Sequence, residues 1–164
     1  STTAQNMWSN FQETVKIYEQ GKAYYDALKS VHDLVKGARK VQQTILLVGD
    51  ISDIYVTNFN TMTGDPNFTV EELSAIAFGY NKLLKESSDL LLDLKEVTTA
   101  TGLSMTDKER LDIINRIYGE VLEYKNLTWY YTRKNIGVSY LRSKKKGDAA
   151  RVLALYGTHD QRYW

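Results

Sequence analysis

Apolar side chains recur every three or four positions along almost the whole chain, which is the spacing of one face of an α-helix. The first apolar stripe runs from about residue 4 to about residue 59 and begins with Trp8 and Phe11. Gly37 lies within this stripe, where a glycine weakens a helix. The pattern therefore predicts either one long helix that bends near Gly37 or two helices nearly in line.

Two loops divide the rest of the chain into further helices. The first loop contains the only proline, Pro66, in a Thr-Gly-Asp-Pro-Asn sequence that is typical of a turn. Thr69 with Glu72, and Thr106 with Glu109, have the spacing of a capping box, in which each side chain bonds the other residue's backbone N–H at a helix start. We therefore expect a second helix to begin at the first box and a third at the other, with a break around 98–104 between them.

The third helical stripe is the longest and extends to about residue 144. Gly137 is its weakest point, and a Lys-Lys-Lys-Gly-Asp sequence ends it. Asp148 is placed to cap a short last helix over 149–156, and Gly157 is placed to end that helix. The residues expected to face the core from the third helix are Leu111, Ile114, Ile117, Tyr118, Val121, Leu122, Leu127 or Thr128, Tyr131, Ile136 or Asn135, Val138 and Leu141.

Together these elements predict an all-α fold: an elongated antiparallel bundle of about three long helices, plus a short C-terminal helix. Short loops favour antiparallel neighbours, and 164 residues suit a single helical domain over 1–164. The polar tail over 158–164 either moves freely or folds back on the bundle. A long helix that extends past its bundle would leave an apolar stripe for a second copy, so the pattern is compatible with a homo-oligomer.

The composition limits the classes of function. A chain without cysteine forms no disulfide and carries no thiolate, and no apolar run is long enough to predict a membrane span. The formal net charge is only +1, which argues against a protein that coats nucleic acid over its whole surface. The chain begins at Ser1 and not at methionine, which fits either a removed leader or a trimmed chain.

No group of side chains in the sequence has the spacing of a catalytic or metal-binding motif. His32 and His159 are far apart and neither has a ligand partner four residues away. Asp50 and Asp53 share one helical face, but no nucleophile accompanies them, so we interpret them as a solvated face. We therefore expect no catalytic, cofactor-binding or metal-binding residues, no cofactor, and no enzymatic activity.

A basic stretch near the C-terminus is the main asymmetry of the chain. It contains Arg133, Lys134, Arg142, Lys144, Lys145, Lys146 and Arg151, and tyrosines lie between these cations. Such a face can simply favour the C-terminal end of a long helix, or it can bind an acidic protein partner, nucleic acid or lipid headgroups. The C-terminal Tyr163 and Trp164 either form a docking peptide or fold back. We take all nine of these residues as the candidate partner-binding set.

Several stretches carry a family resemblance. They are FQET at 11–14, YYDALKSV at 24–31, FTVEELSAIA at 68–77, LSMTDKER at 103–110, and YTRKN at 131–135 leading to KKKGD at 144–148. Together they resemble the TrbJ-like conjugal-transfer proteins of conjugative transposons in Gram-negative anaerobes. The resemblance covers nearly the whole chain. It implies a periplasmic or cell-surface component of a type IV secretion apparatus, similar in role to a minor pilin, whose export signal has been removed.

The family has no catalytic residues to transfer to this sequence, so the resemblance also implies a structural role. Its partners would be other subunits of the transfer apparatus. Two alternatives remain open from the residues alone. One is a cytosolic helical adaptor, and the other is a nucleic-acid accessory protein that uses the basic 133–151 face.

Overall fold

The structure is a computed structural model that describes residues 37–99 and 105–157, together with eight separate residues in the N-terminal part of the chain. Residues 37–157, apart from the gap between the two ranges, form four helices: α1 (Ala38–Thr63), α2 (Val70–Thr99), α3 (Asp107–Lys145) and α4 (Ala149–Tyr156). None of the described residues is in a β-strand. The predicted all-α fold, with three long helices and a short C-terminal one, is therefore confirmed. The eight separate residues, all helical and exposed, are Asn6, Ser9, Gln12, Glu13, Lys16, Glu19, Gln20 and Ala23.

Gly37 separates α1 from the chain before it. Its φ of +92° lies in the left-handed region, which a glycine adopts without strain and a helix interior does not allow. A Cβ at this position would also lie 3.0 Å from Cδ1 of Leu111 on α3. The helix α1 therefore begins at Ala38. The course of residues 24–36 lies outside the described part.

Both predicted capping boxes are present. The Thr69 hydroxyl accepts from Glu72 N and the Glu72 carboxylate accepts from Thr69 N, each over 3.2 Å. Thr106 and Glu109 make the same pair of bonds over 3.1 and 2.9 Å. These bonds satisfy backbone N–H groups that a helix start leaves without partners. The predicted break over 98–104 lies largely outside the described residues, although α2 ends at its edge.

The three long helices form a bundle in which α2 runs antiparallel to both of its neighbours. Contacts between α1 and α3 advance together along the two helices, from Lys40 against the Tyr118 ring to Asp50 with Lys125, so these helices are parallel. The core they enclose is apolar and continuous. Its largest fully buried side chains are Tyr55, Tyr80, Ile51, Met62, Leu84, Leu94, Ile114, Ile117, Ile136, Val121 and Val152.

The C-terminal half of α3 differs from the predicted stripe. Thr128, Thr132, Ser139 and Ser143 are fully buried there, in addition to Ile136. The apolar side chains face outwards: Leu127 is 47% exposed, Val138 39% and Leu141 53%. The prediction that Val138 and Leu141 face the core is therefore wrong, and at the open choice between Leu127 and Thr128 the buried residue is Thr128.

The short last helix has the predicted bounds but not the predicted cap. Asp148 is its N-cap residue and makes no side-chain capping bond. Its carboxylate instead accepts from Arg151 Nε at 2.5 Å. Gly157 ends the helix with a φ of +68°. Tail residues 158–164 lie outside the described part, so the alternatives for the tail stay predictions. No helix in the described part has the length and apolar character that crossing a membrane requires.

Candidate interaction surface

Charge is distributed unevenly along α2 and α3. Residues 86–123 contain nine acidic and four basic side chains, whereas residues 124–151 contain one acidic and eight basic ones. No acidic residue at all occurs between Glu123 and Asp148. Because α2 and α3 are antiparallel, the acidic segment forms one end of this helix pair and the basic segment belongs to the other. A near-zero total charge therefore conceals two ends of opposite sign.

Five of the predicted cations are exposed at the basic end: Arg133, Lys134, Lys144, Lys145 and Lys146. We call this group the basic surface. Within the described residues, none of the five lies within ion-pair distance of a carboxylate. The Lys134 amino group lies 5.3 Å from the centroid of the Tyr130 ring, which is itself half exposed. Exposed cations without paired acids leave a positive potential that attracts an acidic surface.

Arg142 is bonded to other parts of the same chain, although 41% of its side chain is exposed. Its guanidinium donates to both carboxylate oxygens of Glu72, over 2.7 and 2.9 Å, and to the backbone carbonyl of Asn67 over 2.7 Å. The Arg142 hydrogen bond lowers the pKa of Glu72, and Glu72 in turn raises the pKa of Arg142. This fork-to-fork pair joins the start of α2 to the end of α3. Arg142 therefore serves the bundle and is not available as a separate docking cation.

Arg151 and Lys146 are also engaged, though less tightly. The Arg151 pair with Asp148 raises the pKa of the guanidinium and lies within the first turn of α4. The Lys146 amino group donates to Asn67 Oδ1 over 3.2 Å while the residue stays exposed. Tyr163 and Trp164, the last two members of the predicted set, lie outside the described residues. The structure thus brings the cations to one end of the bundle. Arg142, Lys146 and Arg151 make polar bonds there, whereas Arg133, Lys144 and Lys145 have no carboxylate partner among the described residues.

A buried polar cluster lies beneath the basic surface, and the sequence analysis did not predict it. It consists of Asp65, Asn67, Ser139, Ser143 and Tyr156. Asp65 is only 2% exposed, yet its carboxylate accepts from Asn67 N (2.9 Å), Ser139 Oγ (2.5 Å) and the Tyr156 hydroxyl (2.7 Å). The Asn67 side-chain amide donates to Ser143 Oγ over 2.6 Å. Burial and the bond to Asp65 raise the pKa of Tyr156.

This polar cluster is a structural joint. Each group in it has hydrogen-bond partners, as buried polar groups require. It connects the α1–α2 turn to α3 through the two serines and to α4 through the tyrosine. The signal in the sequence was the spacing of Ser139 and Ser143, four residues apart and therefore on one helical face.

A tyrosine cluster lies in the middle of the bundle. Tyr55 and Tyr80 stack with ring centroids 4.7 Å apart, and Tyr131 meets Tyr80 edge-on at 4.9 Å. The Thr132 hydroxyl donates to Thr128 O over 2.8 Å, so its 2.6 Å bond with Tyr80 uses the tyrosine proton. Burial raises the pKa of Tyr80. These rings act as core packing, each fixed by a polar contact or a neighbouring ring.

The carboxylate pair on α1 has a structural partner. Asp50 forms an ion pair with Lys125 on α3 over 3.1 Å. Partial burial, and then the neighbouring Asp50, raise the pKa of Asp53. Among the described residues, no group of three or more His, Asp or Glu side chains is placed to hold a metal ion. His32 and His159 lie outside those residues.

One further surface is the solvent-exposed face of α3, which we call the outer face. Its residues recur at helical spacing and lie on one side of the helix. The first half of the face carries acidic residues and one arginine, and the second half carries apolar residues and two lysines. In order they are Asp112, Arg116, Glu120, Glu123, Leu127, Tyr130, Lys134, Val138, Leu141 and Lys145.

No protein-family model, curated protein or solved structure shows a significant match to this chain. The surfaces of the molecule itself therefore carry the functional inference.

Proposed function

We propose that this protein is a non-enzymatic assembly component that acts through protein–protein contacts at its basic surface. The observation that supports this most directly is that Arg133, Lys144 and Lys145 are exposed with no carboxylate of the described chain beside them. Docking an acidic surface there would speed association and select partners by charge. The rigid bundle beneath, closed by the polar cluster and the Arg142–Glu72 pair, would hold these cations in a fixed arrangement.

We further propose that the assembly is the type IV secretion apparatus of a conjugative element, with the protein in the periplasm or at the cell surface. The resemblance to TrbJ-like proteins supports this. Two of its stretches, 131–135 and 144–148, contain all five cations of the basic surface. Other subunits of the apparatus would supply the acidic partner.

The experiment is a transfer assay with the gene deleted and then restored as variants. Deletion should abolish transfer of the element, and Arg133→Glu with Lys144→Glu should fail to restore it. Lys82→Glu with Lys108→Glu is the matched control, because both lysines are exposed and lie away from the basic surface. Unchanged transfer after deletion would remove the conjugation proposal. Full restoration by the Arg133→Glu, Lys144→Glu variant would remove the basic surface as the docking site.

Two further measurements separate the alternatives. A precursor that is neither cleaved nor exported, found by cell fractionation, would favour the cytosolic adaptor. Salt-dependent binding to duplex DNA that is lost in the Arg133→Glu, Lys144→Glu variant would favour the nucleic-acid accessory protein. We expect export, and no DNA binding at physiological salt.

A further inference from the structure

The outer face of α3 is complementary to itself when reversed. Its N-terminal half carries Asp112 and Glu123, and its C-terminal half carries Lys134 and Lys145, with an apolar centre at Leu127 and Tyr130. We propose that α3 pairs antiparallel with α3 of a second copy of this chain through this face. The proposal goes beyond the assembly function above and does not depend on it.

The register follows from a two-fold axis that passes midway between Leu127 and Tyr130. Each of these residues then lies opposite the other in the second copy, which places four apolar side chains at the centre. Moving outwards, Glu123 lies opposite Lys134, and Arg116 lies opposite Leu141, over which its aliphatic stem can pack. Asp112 lies opposite Lys145 at each end. Each of these charged residues thus meets an opposite charge or an apolar side chain, and Glu120 remains paired with Arg116 of its own chain.

The central residues have the exposure that such a contact needs. Leu127 is 47% and Tyr130 52% exposed. Glu123 and Lys134 are exposed and form no ion pair among the described residues, so pairing would not break an existing bridge. Arg116 is already paired with Glu120 over 3.0 Å and keeps that bridge in the dimer. Burial of the apolar centre would drive association, and the flanking charges would fix its direction.

Other occupants fit this face less well. A parallel dimer would place Glu123 against Glu123 and Lys134 against Lys134. An anionic membrane would be repelled by the acidic half, and the lysines lie on the midline of the apolar strip instead of at its edges, where they could reach headgroups. A uniformly acidic partner helix would meet Asp112 and Glu123. Only a partner that is basic at one end and acidic at the other satisfies the whole face.

The size of the contact predicts a weak dimer. From Asp112 to Lys145 the helix rises about 50 Å, and a helix presents a face roughly 10 Å wide. Two such faces bury on the order of 1,000 Å², which is at the lower end of specific interfaces. We therefore expect a dissociation constant in the micromolar range, on the order of 10 µM, in dilute buffer.

Charge-reversal variants test the pairing by sedimentation equilibrium over roughly 1–500 µM, a range that brackets the expected constant. Glu123→Lys alone and Lys134→Glu alone should each weaken dimerisation by about tenfold or more, because both Glu123–Lys134 pairs become repulsive. An equimolar mixture of the two variants should dimerise again, since every such pair is then attractive. Arg133→Glu is the matched control, with the same charge change beside Lys134 but off the outer face.

Cysteine cross-linking tests the direction, and the chain provides a clean background because it has no cysteine. A mixture of Glu123→Cys and Lys134→Cys should form a mixed disulfide, and neither variant alone should cross-link efficiently. A wild-type chain that stays monomeric to the highest concentration would overturn the proposal. So would a mixture of the two charge variants that remains as weak as each alone, or a Glu123→Cys chain that cross-links to itself.

Discussion

The Tyr156 hydroxyl donates a hydrogen bond to Oδ2 of Asp65 over 2.7 Å, so the last helix is tied to the turn between the first two. Asp65 is almost completely buried, and its other donors come from Asn67 and Ser139. The buried side chain of Val152 and this bond near the C-terminal end of α4 both hold the helix to the bundle.

Replacing Tyr156 by phenylalanine should destabilise the protein by about 1–3 kcal/mol, because the buried carboxylate loses one of its three donors. Urea unfolding measures the loss, and hydrogen exchange should show that α4 opens before the bundle. Tyr130→Phe is the control, since that ring is half exposed, and it should change stability by less than about 0.5 kcal/mol. Equal losses in the two variants would contradict the anchoring role.

Gly79 makes room for Tyr131 to cross the backbone of α2. A Cβ at Gly79 would overlap the Tyr131 hydroxyl and lie 2.5 Å from Cζ of that ring. The Tyr131 hydroxyl is held there because it donates to Ile76 O over 3.0 Å. Gly79→Ala should therefore destabilise the protein by about 1–3 kcal/mol, although alanine is the better helix former.

The control for this variant is Gly119→Ala. A Cβ at Gly119 meets nothing within 4 Å, and the residue lies on the exposed side of α3. This change should stabilise the protein by up to about 1 kcal/mol. Thermal and urea unfolding of both variants check the pair. A stabilised Gly79→Ala protein would show that Tyr131 is free to move away.

Alkaline pH should weaken the bundle through Tyr80. Burial raises its pKa in the folded state, so the folded chain holds its proton at a pH where the unfolded chain has released it. The stabilisation is complete below the ordinary tyrosine pKa of about 10 and is lost as pH rises above it, by up to about 1.4 kcal/mol per pH unit for each such residue. Tyr80→Phe should flatten this decline, measured by denaturant unfolding above about pH 10. If the unfolding free energy of Tyr80→Phe falls with pH as steeply as that of the wild type, Tyr80 is not the cause of the decline.

Acid should release the Arg142–Glu72 pair. The pKa of Glu72 is lowered, so its contribution is complete above the ordinary glutamate pKa and disappears as pH falls through the lowered value. Arg142→Gln should therefore be less stable than the wild type near neutral pH, and the difference should shrink below about pH 4. Unfolding curves at several pH values test this, and a gap that stays constant in acid would contradict it.

The sequence predicted the helix starts better than it predicted the faces of α3. Capping boxes and the turn around Pro66 are local signals, so they could be read directly. The burial of Thr128 and Thr132 could not be predicted in this way. Each hydroxyl donates to the backbone carbonyl four residues earlier, so these polar side chains enter the core with their hydrogen bond satisfied. Apolar spacing alone then assigned the outward Val138 and Leu141 to the core.

The candidate surface was predicted only in part, for a related reason. The position of the cations along α3 was evident from the sequence. The bond between Arg142 and Glu72 was not evident from the sequence, because Glu72 lies 70 residues earlier in the chain. Gly37 was recognised as a weak point, but spacing does not reveal a left-handed φ. The sequence pattern thus lacked two kinds of information: which distant residues pair, as Arg142 and Glu72 do, and which backbone conformation a residue such as Gly37 adopts.

The Asp65 carboxylate receives its last donor from a residue 91 positions later. During synthesis this acid therefore emerges from the ribosome long before the serine and tyrosine that will enclose it, and it must stay in water until they arrive. Closure of this joint is consequently a late event in the folding of the bundle, completed only after Tyr156 has been made. A chain truncated before Tyr156 would contain three complete long helices and still leave this acid without its final donor.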